Sequence, residues 1–217
     1  MFIRPVVAVG LALELVGPGL AGLSPARAET LDRIAVSVGQ DVIPESQVIL
    51  DLRVAAFLEH KPLDLSGRAK RQSAERLVDQ LLILREAVDS HVTLPSTDAA
   101  GLVAPYAAES GYQADLERYG ISERDLAAHL LAGLRTLTFT DLRFRPEIQV
   151  SPEDVRSYYD KLPRQPDSAA APIASFDESR EQIEKLLVEQ RVLEALDKWL
   201  ETARGAANIR YREKAFE

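Results

Sequence analysis

The two ends of this chain carry patterns that predict strands able to pair with each other. Residues 176–213 contain one long capped helical pattern, a glycine at position 205 and a short alternating strand, Asn208 to Arg212. Near the other end, Ile34 to Val38 alternates apolar and small residues, and a turn then leads into Val42-Ile43 as the second strand of a hairpin. We expect the late strand to pair with the early one, so that both ends of the chain close a single domain.

The composition excludes several classes of protein. The 217-residue chain has a formal net charge of −8, whereas nucleic-acid binding requires a basic surface that contacts phosphates. The chain has no cysteine, which excludes disulfides and zinc–thiolate sites. A hydrophobic content of 46% is enough for a sizeable core.

The first 28 residues have the pattern of a secretory signal peptide. Arg4 supplies the positive charge, Val6 to Leu23 is mostly apolar, and Ala26-Arg27-Ala28 fits an A-x-A cleavage site. We expect export, cleavage after Ala28 and a periplasmic mature chain; a membrane anchor is the alternative reading of the same stretch. No later segment approaches the roughly 20 apolar residues that span a bilayer, so stable membrane insertion after cleavage is not expected.

Five or six helices are predicted between the strands, so the expected fold class is mostly α. The approximate segments are 45–60, 66–88, 97–118, 122–144, 151–159 and 176–205, with Gly205 expected to stop the last one. Three segments carry apolar stripes at helical spacing, which we expect to face a core. These stripes are Leu77, Leu81, Leu84 and Val88; Leu126, Leu130, Leu134 and Leu137; and Ile183, Leu186, Leu187, Leu193, Leu196 and Leu200.

No local motif predicts catalysis. His60, His91 and His129 are isolated from one another in the sequence and lack metal-binding spacing, so we interpret them as surface or loop histidines. Nucleophile-elbow, Walker and dinucleotide-binding sequences are absent. We therefore predict no catalytic residue, no cofactor and no metal. The alternative that the fold assembles a catalytic site from residues distant in the sequence stays open.

The aromatic residues have two interpretations. Tyrosine combines a large apolar ring with a polar hydroxyl, which suits partly wet binding surfaces, but aromatic side chains also fill cores. We expect the phenylalanines and Trp199 mainly in the core and leave both roles open for the tyrosines. The candidates for a binding surface are Phe57, Tyr106, Tyr112, Tyr119, Tyr158 and Tyr159.

The order of these segments resembles the SurA family of periplasmic chaperones and parvulin-type peptidyl-prolyl isomerases. The resemblance covers about residues 30–160 and 173–213. It is carried by the opening hairpin LDRIAVSVGQDVIPESQV, the step IQVSPEDV at 148–155, and the terminal helix and strand. The resemblance implies a SurA-type N-terminal chaperone module at 29–160, which the helix and strand at 176–213 complete within the same domain.

The chain departs from that family at residues 161–175. Family members that isomerise prolyl bonds carry parvulin domains at this point, whereas KLPRQPDSAAAPIAS is a Pro- and Ala-rich linker too short for a domain. We therefore expect a non-enzymatic, ATP-independent holdase whose partners are unfolded polypeptides, in particular outer-membrane β-barrel precursors, and not nucleic acid. The alternatives are an isomerase with an unorthodox site and a docking protein of an envelope complex.

Overall fold

The protein is mostly α-helical, with one small antiparallel sheet. The structure, a computed structural model, describes residues 32–96, 99–162 and 175–217. The strands are β1 (Ile34–Val38), β2 (Asp41–Pro44) and β3 (Ile209–Tyr211). The helices are α1 (Glu45–Leu58), α2 (Gly67–Asp89), α3 (Ala99–Ala107), α4 (Tyr112–Tyr119), α5 (Glu123–Phe144), α6 (Pro152–Lys161) and α7 (Phe176–Ala206). Short 3-10 turns follow at Arg145–Glu147 and Glu213–Ala215.

The predicted pairing between the early and late strands is confirmed. The sheet has the order β2-β1-β3, and both edge strands run antiparallel to β1. Val36 lies opposite Tyr211 and Val38 opposite Ile209. Because β1 is the central strand, its inward side chains are fully buried, and Val36 and Val38 have no exposed surface.

Serine caps lie at the beginnings of α2, α5, α6 and α7. Ser122, Ser151 and Ser175 each form a capping box, in which the serine hydroxyl accepts from a backbone N–H and the acid three residues later accepts from the serine N–H. Ser66 caps α2 in the simpler way, accepting from the backbone N–H of Ala69. These caps satisfy orphan donors that would otherwise lie unpaired at the helix ends.

Two expected helix boundaries are wrong. The segment expected at 97–118 is interrupted after Ala107, and α4 begins only after Gly111, whose φ of +89° suits a residue without a side chain. Gly205 does not stop α7, which continues to Ala206. The helix ends at Ala207 because its backbone is extended and leads directly into β3.

The buried residues form three clusters. The first packs the sheet against α2 and the C-terminal residues, and includes Val36, Val78 and Phe216. The second joins α1, α3, α4 and the start of α5 around Phe57 and Leu126. The third lies between α2, α5 and α7 around Phe139 and Val192. Helix α5 therefore contacts two core clusters, and the face that it buries changes along its length.

The last residues fold back onto the sheet, an arrangement that the sequence pattern did not predict. Ala215 and Phe216 are 1% and 8% exposed and belong to the first core cluster. The Arg71 guanidinium lies 3.8 Å from the Tyr211 ring centroid, and the Lys70 ammonium donates to the main-chain oxygen of Glu217 at 3.1 Å. The C-terminal segment is thus held by apolar packing and by cations of α2.

Two predicted segments lie outside the described residues. They are the signal peptide at 1–28 and nearly all of the Pro- and Ala-rich linker at 161–175, of which 163–174 are not described. Within the described part of the chain, no helix has both the length and the apolar character needed to cross a bilayer.

Candidate functional site

Four of the six candidate aromatic residues meet in one cluster. The Phe57 ring centroid lies 6.5 Å from that of Tyr106, 6.2 Å from that of Tyr112 and 6.0 Å from that of Tyr119. The last two pairs are edge-to-face, the arrangement that the ring quadrupoles favour. We call these four residues the aromatic cluster.

The aromatic cluster is largely core, which limits its role as a binding surface. Phe57, Tyr112 and Tyr119 are 5%, 6% and 8% exposed, so a ligand does not reach them in this conformation. They are buried because α1, α3 and α4 pack around Phe57. Tyr106 is half-buried and keeps part of its surface accessible. In the conformation described, Phe57, Tyr112 and Tyr119 are therefore core residues, and their role as client contacts stays a prediction.

Tyr158 and Tyr159 lie apart from the aromatic cluster, on α6. Both are half-buried, and the Tyr159 ring packs edge-on against Phe176 with centroids 5.3 Å apart. This contact joins α6 to the first turn of α7. Of the six candidates, Tyr106, Tyr158 and Tyr159 therefore keep accessible surface.

The two buried tyrosine hydroxyls provide a matched test of the aromatic cluster. Tyr119 donates to the main-chain oxygen of Lys61 at 2.9 Å, whereas the buried hydroxyl of Tyr112 has no hydrogen-bond partner in the described residues. Burial and the nearby Glu123 carboxylate raise the pKa of Tyr112, so the phenol stays neutral at pH 7. Tyr119→Phe should lower the free energy of unfolding by about 1 kcal/mol, and Tyr112→Phe should leave it unchanged or raise it. Urea denaturation of both variants measures this, and equal losses would contradict the assignment.

Several large apolar side chains remain exposed on the three longest helices. The exposed fractions are 75% for Val88, 65% for Leu137, 57% for Leu193, 56% for Leu142 and 45% for Leu186. We call these residues the exposed apolar set. All except Leu142 belong to the stripes expected to face the core, and for them that expectation is wrong. The buried positions of α2 and α5 include Ile83, Ala87, Phe139 and Phe144 instead.

A polar network lies where α1, α2 and α5 meet. The Asp51 carboxylate is 6% exposed, and its Oδ2 accepts from Ser73 Oγ and from the Arg76 guanidinium, both at 2.7 Å. Its Oδ1 lies 3.3 Å from Nδ1 of His129. We call these four residues the Asp51 network. A buried carboxylate is stable only with partners of this kind.

The network keeps Asp51 ionised. Burial acts to raise the pKa of this carboxyl, but hydrogen bonds from His129 and Ser73, together with the charge and hydrogen bond of Arg76, outweigh it and lower the pKa below its ordinary value of 3.8. Because an ionised carboxylate only accepts hydrogen bonds, Nδ1 of a neutral His129 carries the hydrogen in this pair. Nε2 is then the acceptor nitrogen of the ring.

A cavity of about 140 Å³ opens beside this network. Its apolar walls are Leu50, Val54, Leu77, Ala128 and Ala132. Its polar walls are Gln47, Asp51, Gln80, Asp125 and His129. The Asp125 Oδ2 already accepts from the backbone N–H and hydroxyl of Ser122, so the capping box of α5 holds this carboxylate in place.

The three histidines divide between two roles. His60 and His91 are exposed and adopt φ of 52° and 56° just after α1 and α2, which agrees with their interpretation as loop histidines. His129 is neither in a loop nor fully exposed; it lies on α5 and pairs with Asp51. Sequence reasoning missed it because positions 51, 73, 76 and 129 are brought together only by helix packing.

The described residues include no group of three or more histidine, cysteine or acidic side chains placed to hold a metal ion. The described residues offer an oriented imidazole, a buried carboxylate paired with a half-exposed arginine, and a small mixed cavity, alongside exposed apolar surface. No protein-family model matches the chain, and no curated protein matches it.

Proposed function

We propose that this protein is a periplasmic, ATP-independent holdase that binds unfolded segments of envelope proteins, in particular outer-membrane β-barrel precursors. The exposed apolar set is the observation that carries the proposal. Five large aliphatic side chains on α2, α5 and α7 keep 45–75% of their surface in water. Exposed aliphatic surface of this kind gains free energy when it covers an apolar segment of a client.

The arrangement favours weak, reversible contact. Leu186 and Leu193 are seven residues apart, so they lie on the same face of α7, two turns from each other. Isolated side chains on a helix offer small contacts that release quickly, which a holdase needs in order not to trap its cargo. The net charge of −8 favours solubility while apolar surface is exposed.

The connection between the chain ends supports the SurA-like interpretation. Pairing of β1 with β3 brings the terminal strand back to the opening hairpin, as the resemblance implies for a module completed by its C-terminal segment. We infer that the interval after α6, where isomerases of that family carry parvulin domains, serves here as a linker. We also infer that the chain does not catalyse prolyl isomerisation.

The exposed leucines of α7 provide a direct test. Leu186→Gln with Leu193→Gln should raise, by about fivefold, the concentration of residues 29–217 that halves aggregation of a urea-diluted outer-membrane β-barrel protein. The reason is that both substitutions remove apolar contact area from partly exposed positions. Light scattering during dilution measures the effect, and thermal unfolding checks that the variant remains folded.

The matched control changes two exposed acids of the same helix, Glu184→Gln with Glu189→Gln, and should leave suppression unchanged. Equal suppression by the leucine variant and the wild type would contradict the proposal. A prolyl-peptide assay on the same samples detects an isomerase. If neither activity is present, the docking-protein alternative takes first place.

A further inference from the structure

The cavity beside the Asp51 network offers hydrogen-bond acceptors and negative charge at its polar side. Of the side chains that line it, Asp125 accepts through its carboxylate and a neutral His129 through Nε2, and Gln47 and Gln80 each have an amide oxygen that can accept. Among the described residues that line it, none is lysine or arginine. Arg76 does not line the cavity and is already bound to Asp51.

We propose that this cavity binds an alkylammonium group, such as the side chain of a lysine. A primary ammonium has three donors and one positive charge, which match the acceptors and the Asp125 carboxylate. Its alkyl chain matches the walls formed by Leu50, Val54 and Leu77. The cavity volume of about 140 Å³ suits one side chain and is too small for a larger metabolite.

The Asp51 network prepares the site for such a ligand. By holding the hydrogen of His129 on Nδ1, the ionised Asp51 leaves Nε2 as the acceptor. The capping box orients the second acceptor, since Ser122 donates to Asp125. The ligand therefore meets groups that are already fixed, which lowers the entropy cost of binding. This inference does not depend on the proposed holdase function.

The three histidines make the proposal measurable with the full chain. In protein labelled with ¹⁵N at histidine, at about pH 8, the His129 ring should show the tautomer protonated at Nδ1. Titration with n-butylammonium chloride to about 20 mM should shift the ring signals of His129 and leave those of His60 and His91 in place. n-Butanol and sodium butyrate, which have similar alkyl chains without the cation, should bind at least about tenfold more weakly.

A pair of conservative variants completes the test. Asp125→Asn keeps an oxygen that can accept from Ser122 but removes the charge, and it should weaken n-butylammonium binding about tenfold. Asp177→Asn removes an acid from the first turn of α7 that does not line the cavity, and should not change binding. Thermal unfolding followed by circular dichroism at 222 nm verifies that both variants are folded.

The ligand can be a free amine or a lysine within a polypeptide, and two model compounds separate these sources. If N-acetyl-lysine N-methylamide shifts His129 and the norleucine analogue does not, the cavity takes a protein side chain. A response to n-butylammonium alone identifies free amines as the ligand. The proposal is overturned if no compound shifts His129, or if n-butanol or butyrate binds as tightly as n-butylammonium.

Discussion

Deletion of residues 208–217 should lower the free energy of unfolding by about 5 kcal/mol or more. The deletion removes β3, so the N–H of Gly39 and the oxygen of Ala35 lose their backbone partners in Asn208 and Arg212. It also opens the first core cluster where Phe216 is buried. Because small domains are stable by only about 5–15 kcal/mol, the truncated chain should be largely unfolded at 37 °C. Circular dichroism at 222 nm during urea denaturation measures the loss.

A point substitution tests the same contact without shortening the chain. A Cβ at Gly67, the first residue of α2, would overlap the main-chain oxygen of Phe216. Gly67→Ala should therefore displace the C-terminal segment and lower the free energy of unfolding by about 2 kcal/mol. Gly133→Ala is the control, since nothing lies within 4 Å of its Cβ and an alanine in a helix is favoured by about 0.5–1 kcal/mol. Equal stability of the Gly67 and Gly133 variants would contradict the role given to the C-terminal segment.

Local features of the fold were predictable from sequence because they depend on neighbouring residues. The segments expected to begin at 122, 151 and 176 do begin there, where Ser122, Ser151 and Ser175 form capping boxes with the acid three residues later. Alternation over five residues was enough for β1. The pairing of β1 with β3 was also predictable, because a short strand leaves backbone N–H and C=O groups unpaired unless another strand lies beside it.

The buried faces of the long helices were only partly predictable. A stripe such as Leu126, Leu130, Leu134 and Leu137 has helical spacing, but α5 is apolar on more than one side and contacts two cores. Leu126 is fully buried, whereas Leu137 is 65% exposed because the helix turns Phe139 and Phe144 toward the third cluster instead. Periodicity indicates that a face is apolar; the neighbouring helices determine whether that face is covered.

The Asp51 network was not predictable for a different reason. Its members come from α1, α2 and α5, and no short-range spacing links position 51 with position 129. An aspartate within the apolar stretch of α1 was the available signal, because a buried carboxylate requires partners. Identifying those partners needs the packing of three helices, which a single sequence does not provide.

Asp51→Ala should lower the free energy of unfolding by about 2–4 kcal/mol, the second large effect expected for this protein. The substitution removes the Asp51 acceptor from the His129 ring and from the Ser73 hydroxyl, which keeps only the main-chain oxygen of Val48. Arg76 moderates the loss because its side chain is 49% exposed and can be solvated. Asp141→Ala is the matched control: Asp141 also pairs with an arginine, Arg145, but at an exposed position, so its loss should be below about 0.5 kcal/mol.

The same carboxylate should give the stability a defined dependence on pH. The pKa of Asp51 is lower in the folded protein than its ordinary value of 3.8, so the folded state holds its proton less tightly than the unfolded state does. Its ionisation therefore contributes stability that is fully present above pH 3.8 and is lost as the pH falls through the lower, folded-state pKa. The difference in free energy of unfolding between the wild type and Asp51→Asn should be constant near neutral pH and should shrink in acid. A difference that grows in acid would mean that Asp51 is protonated in the folded protein. The carboxylate would then not hold the hydrogen of His129 on Nδ1.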